Sequence, residues 1–174
     1  MNPTLLIVHI VRFFVLLLFQ GLILKQMSIG WGDVVYWNVI LYPLFVLLLP
    51  VRTSTWQLLL LGFAMGLGVD LFYDSPGVHA SALVFTAFVR PLVLRLMEPR
   101  EGYSLSASPS RVVFGFQGFM QYSGILMLVH LFFYFSVEAF TFVYLLDILQ
   151  KTFFSFLFSM AFIAMITLIF SASK

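Results

Sequence analysis

Long apolar segments recur along this chain of 174 residues, and its few charged residues lie mostly where these segments end. Only 9% of the residues are charged, whereas a soluble domain has about 25%. A helix of about 20 apolar residues can cross a bilayer, because it satisfies its own backbone polar groups. The sequence therefore predicts an all-α integral membrane protein.

We predict six transmembrane helices in one bundle, with residues 1–174 forming a single transmembrane domain. Proline at position 43 should kink the second helix, because it lacks a backbone donor and clashes with the preceding turn. Residues 138–150 either lie in the membrane interface or form the first turns of the last helix. The predicted helices cover approximately residues 5–24, 34–49, 56–73, 78–97, 112–135 and 152–170.

The third predicted helix opens the stretch GFAMGLGVDLFYDSPG, residues 62–77, which is rich in small residues. Small residues at four-residue spacing let membrane helices approach closely, where lipid supplies no hydrophobic drive for association. We therefore predict close helix packing at Gly62, Gly66 and Gly68.

Two carboxylates lie one helical turn apart in the same stretch, where the apolar run meets a Ser-Pro-Gly turn that ends at Gly77. Asp74 or Ser75 is expected to cap the fourth helix. The unpaired amides at that helix start are also suited to the Asp70 carboxylate. Our preferred interpretation is that Asp70 ties the two helices together, while contact with an ion or substrate, or with a partner protein, stays open.

The sequence contains no motif of a covalent or metal catalyst. It lacks H-E-x-x-H, G-x-S-x-G and a glycine-rich loop with lysine. It also has no cysteine, which excludes a disulfide, a thiolate zinc site and a cysteine nucleophile. The histidines His9, His79 and His130 have no ligand spacing among them. We predict no enzymatic activity, no cofactor and no metal.

Basic residues are distributed unequally between the two ends of a six-helix bundle. One end has Lys25 and Lys151, and the other has Arg52, Arg90, Arg95, Arg100, Arg111 and Lys174. The positive-inside rule then places both termini and the loop 98–110 in the cytoplasm. Arg12, inside the first helix, either snorkels to the interface or makes a buried contact with another helix or a partner.

The net charge of +2 arises from basic residues at helix ends and does not indicate a nucleic-acid partner. We expect membrane lipid to contact the outer surface of the helix bundle. Exposed polar groups are expected at one basic cytoplasmic loop and at several acidic outer ends. The predicted partner contacts are Arg95, Arg100, Arg111 and Glu138.

The third and fourth predicted helices resemble the family of the rod-shape-determining membrane protein MreD. The shared pattern is G-x-x-x-G-L-x-x-D, a short turn with glycine, and small residues that open the next helix. The run Leu47–Arg52 and the tripeptide Glu138-Ala139-Phe140 are also similar to that family. The positions that carry the pattern here are Gly62, Gly66, Leu67, Asp70, Gly77 and Ala80.

This resemblance implies a non-enzymatic scaffold of the bacterial cell-elongation machinery in the inner membrane. It implies a bitopic MreC-like partner and links to wall synthases and a cytoplasmic actin-like filament. It also implies a fold similar to the substrate-binding subunits of energy-coupling-factor transporters. That fold supplies an alternative function, the capture of a small vitamin-type molecule.

Overall fold

The computed structural model describes residues 3–27, 29–31, 34–98, 108–141 and 143–171. Within these ranges the chain is predominantly α-helical, and five helices are long and apolar enough to cross a membrane. This architecture is compatible with a multi-pass membrane protein. The first of the five is the span Leu6–Met27, most of which is α1 (Pro3–Leu18), and the others are α3 (Thr55–Tyr73), α4 (Val78–Leu96), α5 (Arg111–Ala139) and α6 (Leu145–Ser171).

Three of these helices depart from regular geometry or from the predicted bounds. α1 continues through a π-helical turn, Phe19–Ile23, and a 3₁₀ turn, Leu24–Met27. α6 begins at Leu145, so residues 145–150 form the first turns of the last helix. α5 contains a break at Gly115, where φ is +70°.

The predicted second helix, residues 34–49, is wrong. Strands β1 (Ile29–Trp31) and β2 (Val34–Trp37) pair as an antiparallel hairpin. Residues 38–43 then lie outside any regular element, and α2 (Leu44–Leu47) is a single helical turn. Pro43 stands at the start of that turn because proline is tolerated at a helix start but not inside a helix.

The non-helical segment 38–43 is buried within the bundle, so its backbone polar groups need partners from the protein. Gln20, on the π-helical turn that follows α1, forms hydrogen bonds with three of these backbone groups. Its side-chain oxygen accepts from the amides of Leu41 and Tyr42 at 2.8 and 3.3 Å, and its side-chain nitrogen donates to the Val39 carbonyl at 3.0 Å.

Two serines of α6 bind the same segment from another direction. The Ser155 hydroxyl accepts from the Asn38 amide at 3.0 Å, and the Ser159 hydroxyl accepts from the Ile40 amide at 2.9 Å. Both serines are fully buried. The segment is therefore held by hydrogen bonds from the first and last helices, which replace the internal bonds of a helix.

Residues 38–50 run antiparallel to α1, since Gln20 contacts Leu41 whereas Arg12 donates to the Leu48 carbonyl at 3.3 Å. This segment therefore returns the chain to the end of the bundle where α3 begins. Six spanning helices are not found among the described residues; five helices surround one buried, mostly non-helical return segment.

Candidate functional site

Asp70 lies in the last turn of α3 with only 3% of its surface exposed. Its carboxylate accepts hydrogen bonds from the backbone amides of Gly77 (3.0 Å), His79 (2.9 Å) and Ala80 (3.1 Å) at the start of α4. The Ser75 hydroxyl also donates to it at 3.3 Å, and the His79 Nδ1 atom lies 2.9 Å from its Oδ1. The carboxylate therefore ties α3 to α4, in the arrangement that the sequence favoured.

Neither Asp74 nor Ser75 caps α4, contrary to the prediction. The residue before that helix is Gly77, whose φ of +88° suits glycine and which has no side chain to cap the helix. Asp74 instead ends α3 in a left-handed conformation with φ of +53°. Its side chain is 92% exposed and lies 4.0 Å from the Lys25 ammonium. Asp70 already occupies the amides that a local cap would bind.

Three glycines of α3 allow close contact with neighbouring helices. A Cβ atom at Gly66 would lie 2.8 Å from the backbone nitrogen of Ala80, closer than real Cβ atoms come. At Gly62 the nearest atoms, on α4, would lie at 3.4 Å, which is ordinary contact. Gly68 faces α1, where a Cβ would lie 2.9 Å from the Leu17 side chain. Gly66 is thus the point of closest approach to α4.

The buried imidazole of His79 is surrounded by three tyrosine rings. The ring centroids of Tyr73, Tyr134 and Tyr42 lie 4.7, 4.8 and 5.6 Å from that of His79. The Nδ1 atom of this imidazole lies 2.9 Å from Oδ1 of Asp70, so the ring is held between the carboxylate and the tyrosines.

The second buried histidine, His130, also has hydrogen-bonding partners within the chain for both ring nitrogens. Its Nε2 atom lies 2.8 Å from the Tyr42 hydroxyl, and its Nδ1 atom lies 2.8 Å from the Thr86 hydroxyl. Both ring nitrogens therefore have partners on other elements. Within the described residues, no group of three or more His, Cys, Asp or Glu side chains could hold a metal ion.

The sequence places Arg90 at the basic end of the bundle, but the residue is only 1% exposed and belongs to the core. Its Nε atom donates to the Tyr122 hydroxyl at 2.9 Å, and its terminal nitrogen donates to the carbonyls of Leu49 and Pro50. The Tyr122 hydroxyl in turn donates to the Leu47 carbonyl at 3.0 Å. These bonds satisfy the carbonyls that end the return segment.

The predicted partner contacts lie at two ends of the bundle. Arg95 is exposed near the end of α4, and Arg111 is half-buried at the start of α5. Glu138 lies near the other end, where its carboxylate is 3.9 Å from the Lys151 ammonium. Arg100 lies outside the described residues. The structure therefore does not bring the three described residues, Arg95, Arg111 and Glu138, into one site.

Cavities lie beside this core in the described part of the chain. One of about 460 Å³ lies between α1 and α3 and is mostly apolar. A second, of about 400 Å³, opens between α1 and α5 and includes two arginines. A third, of about 600 Å³, lies at the opposite end, between the end of α5 and the start of α6. The polar residues that line this third cavity are Tyr144, Asp147, Gln150 and Lys151.

Sequence reasoning missed the role of Gln20. The available signal was an amide side chain inside an otherwise apolar helix, which membrane proteins use to hydrogen-bond other elements. Its partners could not be read from the sequence, because they are backbone groups of a segment that we expected to be helical.

No protein-family model, no curated protein and no solved structure matches this chain. The fold is predominantly helical, and five of its described helices are long and apolar enough to cross a membrane. Its most conspicuous internal feature is a network of buried polar side chains saturated by partners within the chain.

Proposed function

We propose that this chain is a non-enzymatic membrane scaffold of the bacterial cell-elongation machinery, as its resemblance to the MreD family implies. It would reside in the inner membrane with both termini in the cytoplasm. It would hold a bitopic MreC-like protein and thereby link wall synthases to a cytoplasmic actin-like filament.

The observation that carries this proposal is the engagement of the motif carboxylate inside its own chain. A carboxylate has about four acceptor positions, and the Asp70 oxygens already receive three amides, one hydroxyl and one imidazole nitrogen. The motif residues Gly66, Gly77 and Ala80 all belong to the same contact. A motif used in this way shapes a helix pair, which suits a scaffold better than a ligand site.

The first helix offers a surface for such a role. Only 11% of its spanning window is buried within the chain, whereas the other four windows are 22–50% buried. Its exposed residues are predominantly large and apolar. α1 therefore presents a face that either lipid or the single helix of a bitopic partner can cover.

One observation favours the alternative, a subunit that captures a small molecule. The 600 Å³ cavity at the α5–α6 end falls within the usual range for ligand pockets, and it is lined by Tyr144, Asp147, Gln150 and Lys151. These are the polar groups that would select a vitamin-type ligand at the outer face.

Depletion of the protein in its bacterial host tests the proposal. Rod-shaped cells should become round or swollen, and the tagged protein should co-purify after mild solubilisation with a single-span protein whose bulk is periplasmic. Re-expression of the unchanged chain should restore cell shape, as should the control variant Asp147→Ala/Lys151→Ala. Unchanged cell shape, together with vitamin binding that this same variant abolishes, would replace the scaffold with the capture subunit.

A further inference from the structure

The cavity between α1 and α5 combines an apolar wall with two cationic side chains. It has a volume of about 400 Å³ and lies at the end of the bundle where α1 begins, α5 begins and α6 ends. Its apolar wall includes Leu48, Phe119 and Ile166, and its polar lining groups are Arg12, Ser110, Arg111 and Thr167.

The two guanidinium groups lack acidic partners in the part of the chain that the structure describes. The ion pairs found there involve Lys25, His79 and Lys151 instead. Arg12 donates one hydrogen bond, to the Leu48 carbonyl at 3.3 Å, although a guanidinium has five N–H donors. Arg111 lies over the Phe116 ring at 5.4 Å, a contact that leaves its charge uncompensated. The described lining of the cavity therefore has an excess of positive charge.

Arg12 lies well inside an apolar helix, where an uncompensated charge is costly. The hydroxyl of Ser110 can add a hydrogen bond to an anion beside it, whereas that of Thr167 already donates to the Ile163 carbonyl at 2.6 Å. A phosphodiester carries one negative charge, so bound between the two guanidinium groups it would halve their excess positive charge, and arginine is well suited to phosphate oxygens. The apolar wall would meanwhile contact a hydrocarbon chain.

We propose that this cavity binds an acidic phospholipid of the adjacent leaflet. Its phosphate lies between Arg12 and Arg111, and one acyl chain follows the wall formed by Leu48, Phe119 and Ile166. Basic pockets between membrane helices are known to hold such headgroups. A free phosphate ion would satisfy the arginines but leave this wall uncovered. The site goes beyond the proposed scaffold function and does not depend on it.

Native mass spectrometry of the full chain in a neutral detergent tests the site. Phosphatidylglycerol and phosphatidylcholine with identical acyl chains are titrated separately, and inorganic phosphate is added as a competitor. We expect retention of phosphatidylglycerol over phosphatidylcholine, and an apparent affinity that falls about tenfold or more in Arg12→Gln/Arg111→Gln. The control Arg52→Gln/Arg95→Gln removes two exposed charges at the same end and should change the affinity by less than about twofold.

Arg12 also supports the Leu48 carbonyl, so its replacement can destabilise the chain. If the double variant does not fold, the single variants Arg111→Lys and Arg111→Gln are compared instead. We expect the lysine variant to retain phosphatidylglycerol and the glutamine variant to lose it. Equal retention of both lipids, unchanged affinity in the folded glutamine variants, or release of the lipid by millimolar phosphate would each overturn the proposal.

Discussion

Oδ1 of Asp70 lies 2.9 Å from the backbone nitrogen of His79 and 2.9 Å from the Nδ1 atom of the same residue. A single residue of α4 is thus fixed by one carboxylate oxygen through both its backbone and its ring. The backbone contact starts the helix, and the ring contact orients the imidazole among its tyrosines. This pair therefore joins the two helices and positions the buried aromatic cluster.

Replacement of Asp70 should destabilise the protein, and the loss of stability should be larger when fewer hydrogen-bond acceptors remain at position 70. Asp70→Asn keeps one acceptor oxygen and should unfold at a higher temperature in detergent than Asp70→Ala. Each lost bond to the charged group costs about 1.5–3 kcal/mol. Asp74→Asn, at an exposed position one turn away, is the control and should change the unfolding temperature little. Unchanged stability in both Asp70 variants, with function abolished, would instead indicate an ion or substrate site.

The glycines of α3 should differ sharply in their response to the same substitution. Gly66→Ala places a methyl group against the backbone of α4, and such overpacking typically costs about 1–3 kcal/mol. Gly62→Ala meets ordinary contact distances and gains helix propensity, so it should be neutral or stabilising. Thermal unfolding of the two purified variants measures the difference. Equal unfolding temperatures would show that α3 and α4 do not approach closely at Gly66.

Gln20→Leu should destabilise the return segment without changing the apolar character of α1. The amides of Leu41 and Tyr42 would lose their acceptor, and each buried unpaired group costs about 1–3 kcal/mol. Gln117→Leu makes the same change at an exposed position of α5 and should have little effect. Amide hydrogen exchange over residues 38–42 should accelerate in the first variant alone, and equal exchange rates in both would contradict this role.

The orientation can be tested with single cysteines, because the chain has none of its own. Asp147 and Glu98 are both exposed, one at the start of α6 and the other just beyond α4. In intact cells a membrane-impermeant thiol reagent should label Asp147→Cys, whereas Glu98→Cys should react only after lysis. The reverse labelling pattern would place the termini outside the cell and contradict the positive-inside assignment.

The sequence was sufficient for features that depend on local pattern. Continuous apolar runs predicted the regions of α3 and α4, and glycine spacing with a carboxylate at a helix junction predicted the contact between them. These features involve residues close together in the chain. Their physical causes, helix hydrogen bonding and unpaired amides at a helix start, act within a few turns.

The return segment could not be predicted in the same way. Residues 34–49 are as apolar as a membrane helix, and Pro43 alone indicates a kink rather than a break. The non-helical backbone is stable because Gln20 and the serines of α6 supply its hydrogen bonds, across separations of up to 119 residues. A lone sequence does not reveal which distant side chains meet.

The dependence of the return segment on Ser155 and Ser159 also constrains how the protein is made. During synthesis residues 38–43 emerge long before α6, so the amides of Asn38 and Ile40 have no lasting partners in a nascent membrane protein. Such a segment cannot settle against lipid alone. We expect it to stay within the insertion machinery, or near water, until the last helix arrives. A ribosome-stalled chain that ends before Ser155 should therefore be an early target of membrane quality-control proteases.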